Sequence, residues 1–310
     1  MKMFTRFTAV SLSISILLLV SGPETPGATS ADPTGLTHVF LATGTETRIV
    51  DGSGKTIWKY PGSTRDGWVL SNGHLLLAVS KGNEFPGGGV VELTREGKTL
   101  FEWKGTQAEV NTVQALPDDK FLVSEAGAKP RLLEIDRNGQ VHLEIPLRCQ
   151  NTNHHMQSRM ARKLANGNYL VPQLFDKVVR EYDAAGRVVW EVRTPHWPFT
   201  AIRLPNGHTL INCTYGNQTI EVDAKGQTIW ELSNKDLSEP LIKDACGGQR
   251  LPNGNTVICA YGIGARQTKL LEVTPEKNVV WTFSEPGPHG IHEVQILQTN
   301  GKPLADPPLR

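Results

Sequence analysis

Short apolar runs, such as Leu75 to Val79 and Leu210 to Cys213, recur along this chain between pairs of turn-forming residues. Runs of this length bounded by Asn and Gly read as β-strands, and helical periodicity is hard to find anywhere. The punctuation repeats. A phrase Leu-x-Asn-Gly-x-x-Leu is anchored on Leu70, Leu116, Leu164, Leu204, Leu251 and Leu297, at separations of 46, 48, 40, 47 and 46 residues, with LPNGHTLI and LPNGNTVI its best copies. A second phrase, Asp-x-x-Gly-x-x-x-Trp, falls between the anchors and places a large apolar residue at Trp58, Phe101, Leu143, Trp190, Trp230 and Trp281. Asn-Gly and Asp-x-x-Gly supply the positive-φ residues that tight hairpins need.

Together the phrases mark four short strands per repeat, the period of a propeller blade. The chain opens near His38 with strands two to four of a blade and closes with a lone first strand, Ile291 to Leu297. The predicted fold is therefore all-β: a six-bladed β-propeller of four-stranded antiparallel blades, the first blade closed by the C-terminal strand. Such closure hides edges that would otherwise invite aggregation.

Repetition also separates scaffold from chemistry. Glu92, Glu134, Glu181, Glu221 and Glu272 hold one equivalent position in the third strands of five repeats. A residue needed in nearly every blade is expected to be structural, and the Trp positions are expected to pack between blades, where a large aromatic buries much apolar area.

Composition adds bounds. Gly 30 and Pro 20 in 310 residues suit a turn-rich β protein, and 38% hydrophobic residues can fill one large core. The formal charge of +1 lacks the basic excess that would hold nucleic acid or an anionic membrane, so neither is an expected partner. Lys2 and Arg6, the apolar run Phe7 to Val20 and the small residues Ala28-Thr29-Ser30-Ala31 read as a signal peptide. Residues 1–31 are expected to be that leader and 32–310 a single propeller domain. A periplasmic or secreted location follows, with no membrane anchor after cleavage and a monomer as the default. Cys149, Cys213, Cys246 and Cys259 could form up to two disulfides in an exported chain, with buried thiols as the alternative.

In a propeller, the segments joining one blade to the next lie at the funnel mouth, with the loops between strands two and three, and ligands favour that mouth. By repeat position the inter-blade segments hold Arg65, Asp66, Glu109, Asn111, His154, His155, Arg159, His196, Trp197, Asp244, His289 and His292. The loops add Phe175, Tyr215, Tyr261 and Arg266. Five of the nine histidines fall in the inter-blade set, where a spread by length would put about two. His155, His196, His289, His292 and Arg159 are the candidate catalytic residues; His154, Trp197, Tyr215, Asp244, Tyr261 and Arg266 are candidate ligand contacts.

The LPNGNT phrase and Glu221-Val-Asp-x-x-Gly-x-x-x-Trp230 resemble propellers of the pyrroloquinoline-quinone-repeat type and bacterial arylsulfotransferases. The resemblance spans nearly the whole expected domain as a repeat pattern. It implies the architecture, whereas quinone dehydrogenases of that group are usually eight-bladed and often carry adjacent cysteines. Six repeats and no Cys-Cys pair depart from that pattern, so pyrroloquinoline quinone is not an expected cofactor. Four readings stay open for the pocket. It could bind a small polar or anionic ligand, carbohydrate or sulfated. A His could carry sulfuryl transfer with Arg159 neutralising the sulfate. Tyr215 or Tyr261 with a His and Arg159 or Arg266 could act as polysaccharide lyase or hydrolase. His154, His196, His289 or His292 could converge with Asp244 or Glu293 on a metal.

Overall fold

The structure, a computed structural model, describes residues 35–262, 264–304 and 307–310. The expected leader, residues 1–31, lies outside the described residues. From the start of the described chain, β1 (His38–Gly44), β2 (Thr47–Val50) and β3 (Thr56–Tyr60) form three strands of blade 1. Blade 2 follows as β4 (Thr64–Val69), β5 (Leu75–Val79), β6 (Gly89–Leu93) and β7 (Thr99–Lys104). Blade 3 is β8 (Glu109–Leu116), β9 (Lys120–Ala126), β10 (Arg131–Asp136) and β11 (Val141–Pro146). Blade 4 is β12 (Arg162–Lys163), β13 (Tyr169–Gln173), β14 (Val178–Tyr182) and β15 (Val188–Arg193). Blade 5 is β16 (Trp197–Arg203), β17 (Thr209–Thr214), β18 (Gln218–Val222) and β19 (Thr228–Ser233). Blade 6 is β20 (Gly248–Arg250), β21 (Thr256–Cys259), β22 (Thr268–Val273) and β23 (Val279–Ser284). The chain ends with β24 (Ile291–Thr299) and β25 (Lys302–Pro303), and β24 pairs antiparallel with β1 from Ile291↔Gly44 to Thr299↔His38. All-β architecture, six blades and closure of the first blade by β24 are as the repeats predict.

The copy of the phrase at Leu297 departs from the others. Asn300 and Gly301 lie one residue further from their anchor and take φ 49° and 74°, the paired positive angles of a two-residue hairpin. They turn β24 into β25, an added fifth strand, rather than into a second strand, because β1 already fills that place. Arg310, at the end of the described chain, bonds Asp66 and Gly67 of β4.

The scaffold positions explain the packing. Each of the five repeated glutamates is buried and pairs with a side chain of the next blade, and all but Glu134 also bond a side chain of their own blade. Glu181 accepts from Asn166 (3.1 Å) and Asn168 (2.6 Å) and pairs with Arg203 (2.9 Å) of blade 5; Glu221 pairs with His208 (2.9 Å) and Arg250 (2.7 Å) of blade 6. Trp58, Trp190 and Trp230 donate their indole N–H to backbone carbonyls of the following blade, Arg95, Ala224 and Pro275, at 2.8–2.9 Å. Apolar clusters fill the interfaces between successive blades.

All four cysteines are free thiols, so the disulfide alternative is overturned. Cys213 belongs to the cluster between blades 4 and 5, and Cys246 and Cys259 to the cluster beneath the funnel, where each packs as a small apolar group. Burial pushes the Cys213 thiol up to about 12.

Candidate functional site

A β-bulge near the start of each innermost strand shapes the channel mouth. Register shifts between Thr64 and Asp66, between Val110 and Thr112, and between Pro198 and Thr200 leave Arg65, Asn111 and Phe199 as the extra residues. The shift opposite Thr43 and Gly44 does the same for His292. In blade 4, Ser158 faces Gln173 while Arg162 faces Leu170, and Arg159 N–H bonds the Pro172 carbonyl. In blade 6, Cys246 N–H bonds Cys259 O while Cys259 N–H bonds Gly247 O. Arg65, Asn111, Arg159, Phe199, Cys246 and His292 all stand five residues before their Leu anchors. A bulge re-aims a side chain out of the ladder, so one non-repeating residue per blade surrounds the mouth.

The ring is cationic and short of partners. Arg159 is fully buried and donates Nη1 to Ser158 O at 2.8 Å and Nη2 to His155 O. Burial, and then the charge of Arg65, oppose its ionisation, with Glu109 acting the other way. Arg65 makes no side-chain hydrogen bond or ion pair among the described residues. His292 hydrogen-bonds the Thr64 backbone, and its Nδ1 is buried and unpaired. Burial, then Arg65 and Arg159, hold its pKa down to about 3, so the imidazole is neutral. Asn111 is fully buried with both side-chain polar atoms unpaired, as is the Ser158 hydroxyl. Unpaired buried polar groups are rare, and a cluster of them calls for an explanation such as a bound ligand or water.

The nearest carboxylate is already committed. Glu109 is buried and held by Lys81 (2.9 Å) and by His155 Nδ1 (3.1 Å). Burial alone would raise its pKa, but these hydrogen bonds and the charges of His155 and Arg159 prevail and hold it at about 2. His155 lies on a 3-10 turn, His154–Met156, with 48% of its side chain exposed. His154, on the same turn, has no side-chain partner among the described residues.

The other sequence candidates divide between this mouth and its rim. Tyr261 stacks on His292 with centroids 5.1 Å apart, and its ring presses on Gly290, where a Cβ would come within 2.3 Å. Trp197 lies between Phe175 (4.5 Å) and Tyr215 (4.2 Å), while exposed His196 packs its ring against Gly216. Asp244 accepts the Tyr215 N–H at 3.2 Å. His289 faces Glu46 at 3.9 Å, and exposed Arg266 bonds Glu285 O through its backbone, so neither joins the ring. Tyr215 and Tyr261 are not equivalent positions: Thr209↔Val222 and Thr256↔Val273 align Tyr261 with Thr214. That one-residue offset sends Tyr261 to His292 and Tyr215 to Trp197. Among the described residues no group of three or more His, Cys, Asp or Glu is gathered to hold a metal, since His196, His289 and His292 are each turned to different neighbours.

Below the ring the channel is occupied by the chain itself. Arg310 is buried, donates to Asp66 (2.7 Å) and to Gly67 O (2.6 Å), and lies 4.1 Å over Trp68. Arg162 binds the other Asp66 oxygen at 2.7 Å, and burial raises the pKa of neighbouring Glu293 against the pull of both arginines. A cavity of about 890 Å³ opens on the far face, beside Pro307 to Arg310. Of its cations, Arg137, Arg162, Lys163, Arg203 and Arg310 are paired with Glu92, Asp66, Glu134, Glu181 and Asp66, and Lys120 has no ion pair among the described residues. The guanidinium groups of this end are therefore all paired, whereas among the described residues Arg65 at the mouth is not.

No protein-family profile and no curated protein matches the chain. Solved structures do match. A protein of unknown function from Bacteroides caccae is 24% identical, over 83% of this chain and 98% of that one, with a TM-score of 0.73. A streptogramin B lyase is 11% identical over 82% and 86% of the two chains (TM-score 0.57). A catalytically inactive virginiamycin B lyase from Staphylococcus aureus with quinupristin is 10% identical over 83% and 88% (TM-score 0.56). The chain shares the propeller fold with these proteins.

Proposed function

We propose that the protein binds a small anionic ligand, carbohydrate or sulfated, at the funnel mouth. The anion sits between Arg65 and Arg159, with Asn111, Ser158 and neutral His292 as hydrogen-bonding partners. The observation that carries this is Arg65, a guanidinium with no carboxylate partner among the described residues, near enough to the buried Arg159 guanidinium to oppose its ionisation, beside unpaired polar atoms. Two like charges so placed repel one another until an anion lies between them. With the leader expected at residues 1–31, the proposed ligand is one met outside the cytoplasm.

Calorimetry and thermal unfolding with sodium sulfate and 4-nitrophenyl sulfate, against sodium chloride at equal ionic strength, test this reading. Both sulfates should raise Tm in wild type and neither should in Arg65→Ala, whose ligand-free Tm should be higher because the repulsion is gone. Binding that survives Arg65→Ala, or no binding of either sulfate, overturns it. Release of nitrophenol in the presence of a phenol would favour sulfuryl transfer instead. His155 is then the placed nucleophile, since Glu109 engages Nδ1 and leaves Nε2 for the sulfur.

A further inference from the structure

Beside the cationic ring, an aromatic strip runs outward across the rim. Phe175 lies between β13 and β14, Trp197 opens β16, and Tyr215 lies between β17 and β18, so two blades contribute. Phe175 is 38% exposed and Tyr215 70% exposed. Tyr215 also holds φ at 61°, a region that bulky residues avoid, with its N–H fixed by Asp244. Such strain persists where the surrounding structure enforces it, and it clusters at functional sites. The strip is continuous with the ring: Trp197 is two residues before Phe199 on one strand, about 6.5 Å along it. Trp197 and Tyr261 pack on the core cluster that contains Phe199.

From this we infer that the ligand is a linear acidic oligosaccharide, one uronate or sugar-sulfate unit held by Arg65 and Arg159 and the following units laid along Trp197, Phe175 and Tyr215. This deepens the anion-binding reading and rests on it. Two features favour a sugar chain over an aromatic acid. The rings of the strip are tilted by 51° and 44° to one another, a twist that a flat, rigid aromatic could follow over one ring only. The exposed side chains of Phe175 and Tyr215 suit the apolar faces of pyranose rings, whose hydroxyls stay hydrated at the edges.

The test is calorimetric titration with galacturonate and glucuronate, with tetramers of each and of mannuronate, with uncharged maltotetraose, and with benzoate. At least one acidic tetramer should bind about tenfold more tightly than its monomer. Tyr215→Ala and Phe175→Ala should remove most of that gain and leave monomer and sulfate binding unchanged. Trp197→Ala should do the same, but Trp197 is half-buried, so the two exposed positions carry the test. If sulfate binds and no acidic tetramer exceeds its monomer, or if Tyr215→Ala and Phe175→Ala change nothing, the oligosaccharide inference falls while anion binding stands. Benzoate tighter than every sugar also overturns it. Loss of all anion binding would sink the underlying reading instead.

Discussion

His292 shows how one residue reports the state of the mouth. Its pKa is depressed from 6.5 to about 3 by burial and by two arginines, so below pH 6.5 the unfolded chain takes up a proton that the folded chain refuses. Stability is therefore expected to fall as pH drops from 6.5 toward 3, and His292→Gln should flatten that part of a pH series of urea unfolding curves. Glu109, depressed from 4.5 to about 2, acts in the same direction but lower, from 4.5 downward. The two windows overlap only between pH 4.5 and 3, so the variant separates them. An anion between Arg65 and Arg159 would cancel part of the repulsion acting on His292. Its pKa should then rise on ligand binding, which ring-nitrogen NMR can read in the presence and absence of sulfate.

At the scale of the element, each glutamate of the third strands acts as a tie between blades. Removing one strands several partners at once. Glu181→Ala leaves Arg203, Asn166 and Asn168 without their acceptor in a largely buried site, and we expect a loss of about 2–4 kcal/mol in denaturant unfolding. Glu181→Gln should lose less, because one amide oxygen still accepts. These positions were legible in the sequence because they recur in register with the two phrases, and so were the blade count and the closing strand. The bulge ring was legible only in part. Arg65, Asn111, Arg159 and His292 fell in the right segments, yet nothing local marks a bulge, and only the constant offset of five residues from each Leu anchor could have picked out Phe199 and Cys246. The one-residue offset between Tyr215 and Tyr261 was hidden because Tyr-Gly occurs in both copies. Register is settled by strand pairing, and a slip of one residue reverses which way a side chain points.

At the scale of the whole molecule, a ring of blades leaves an axial channel, and this chain fills its own from the far face. The hairpin at Asn300-Gly301 directs the tail inward, Arg250 N–H bonds Leu309 O at 2.9 Å, and Arg310 completes the charge balance around Asp66. The ligand-facing mouth thus has a floor, and Arg310 supplies one of the two guanidinium groups that pair with Asp66 there. Without it, Asp66 and Glu293 share Arg162 alone, so the pKa of Glu293 should rise further. Arg310→Ala is expected to cost about 3–5 kcal/mol, the range for breaking a buried ion pair on one side. The loss should not be uniform. Hydrogen exchange should quicken at the Arg250 amide, whose acceptor is Leu309, while Ala201 and Ile211, deep in the interface between blades 4 and 5, stay protected. Sulfate binding at Arg65 and Arg159 should persist in this variant, because those two residues approach from the opposite face. Equal quickening in every blade would instead mean that the tail is part of the global fold rather than a stopper in a ring that closes without it.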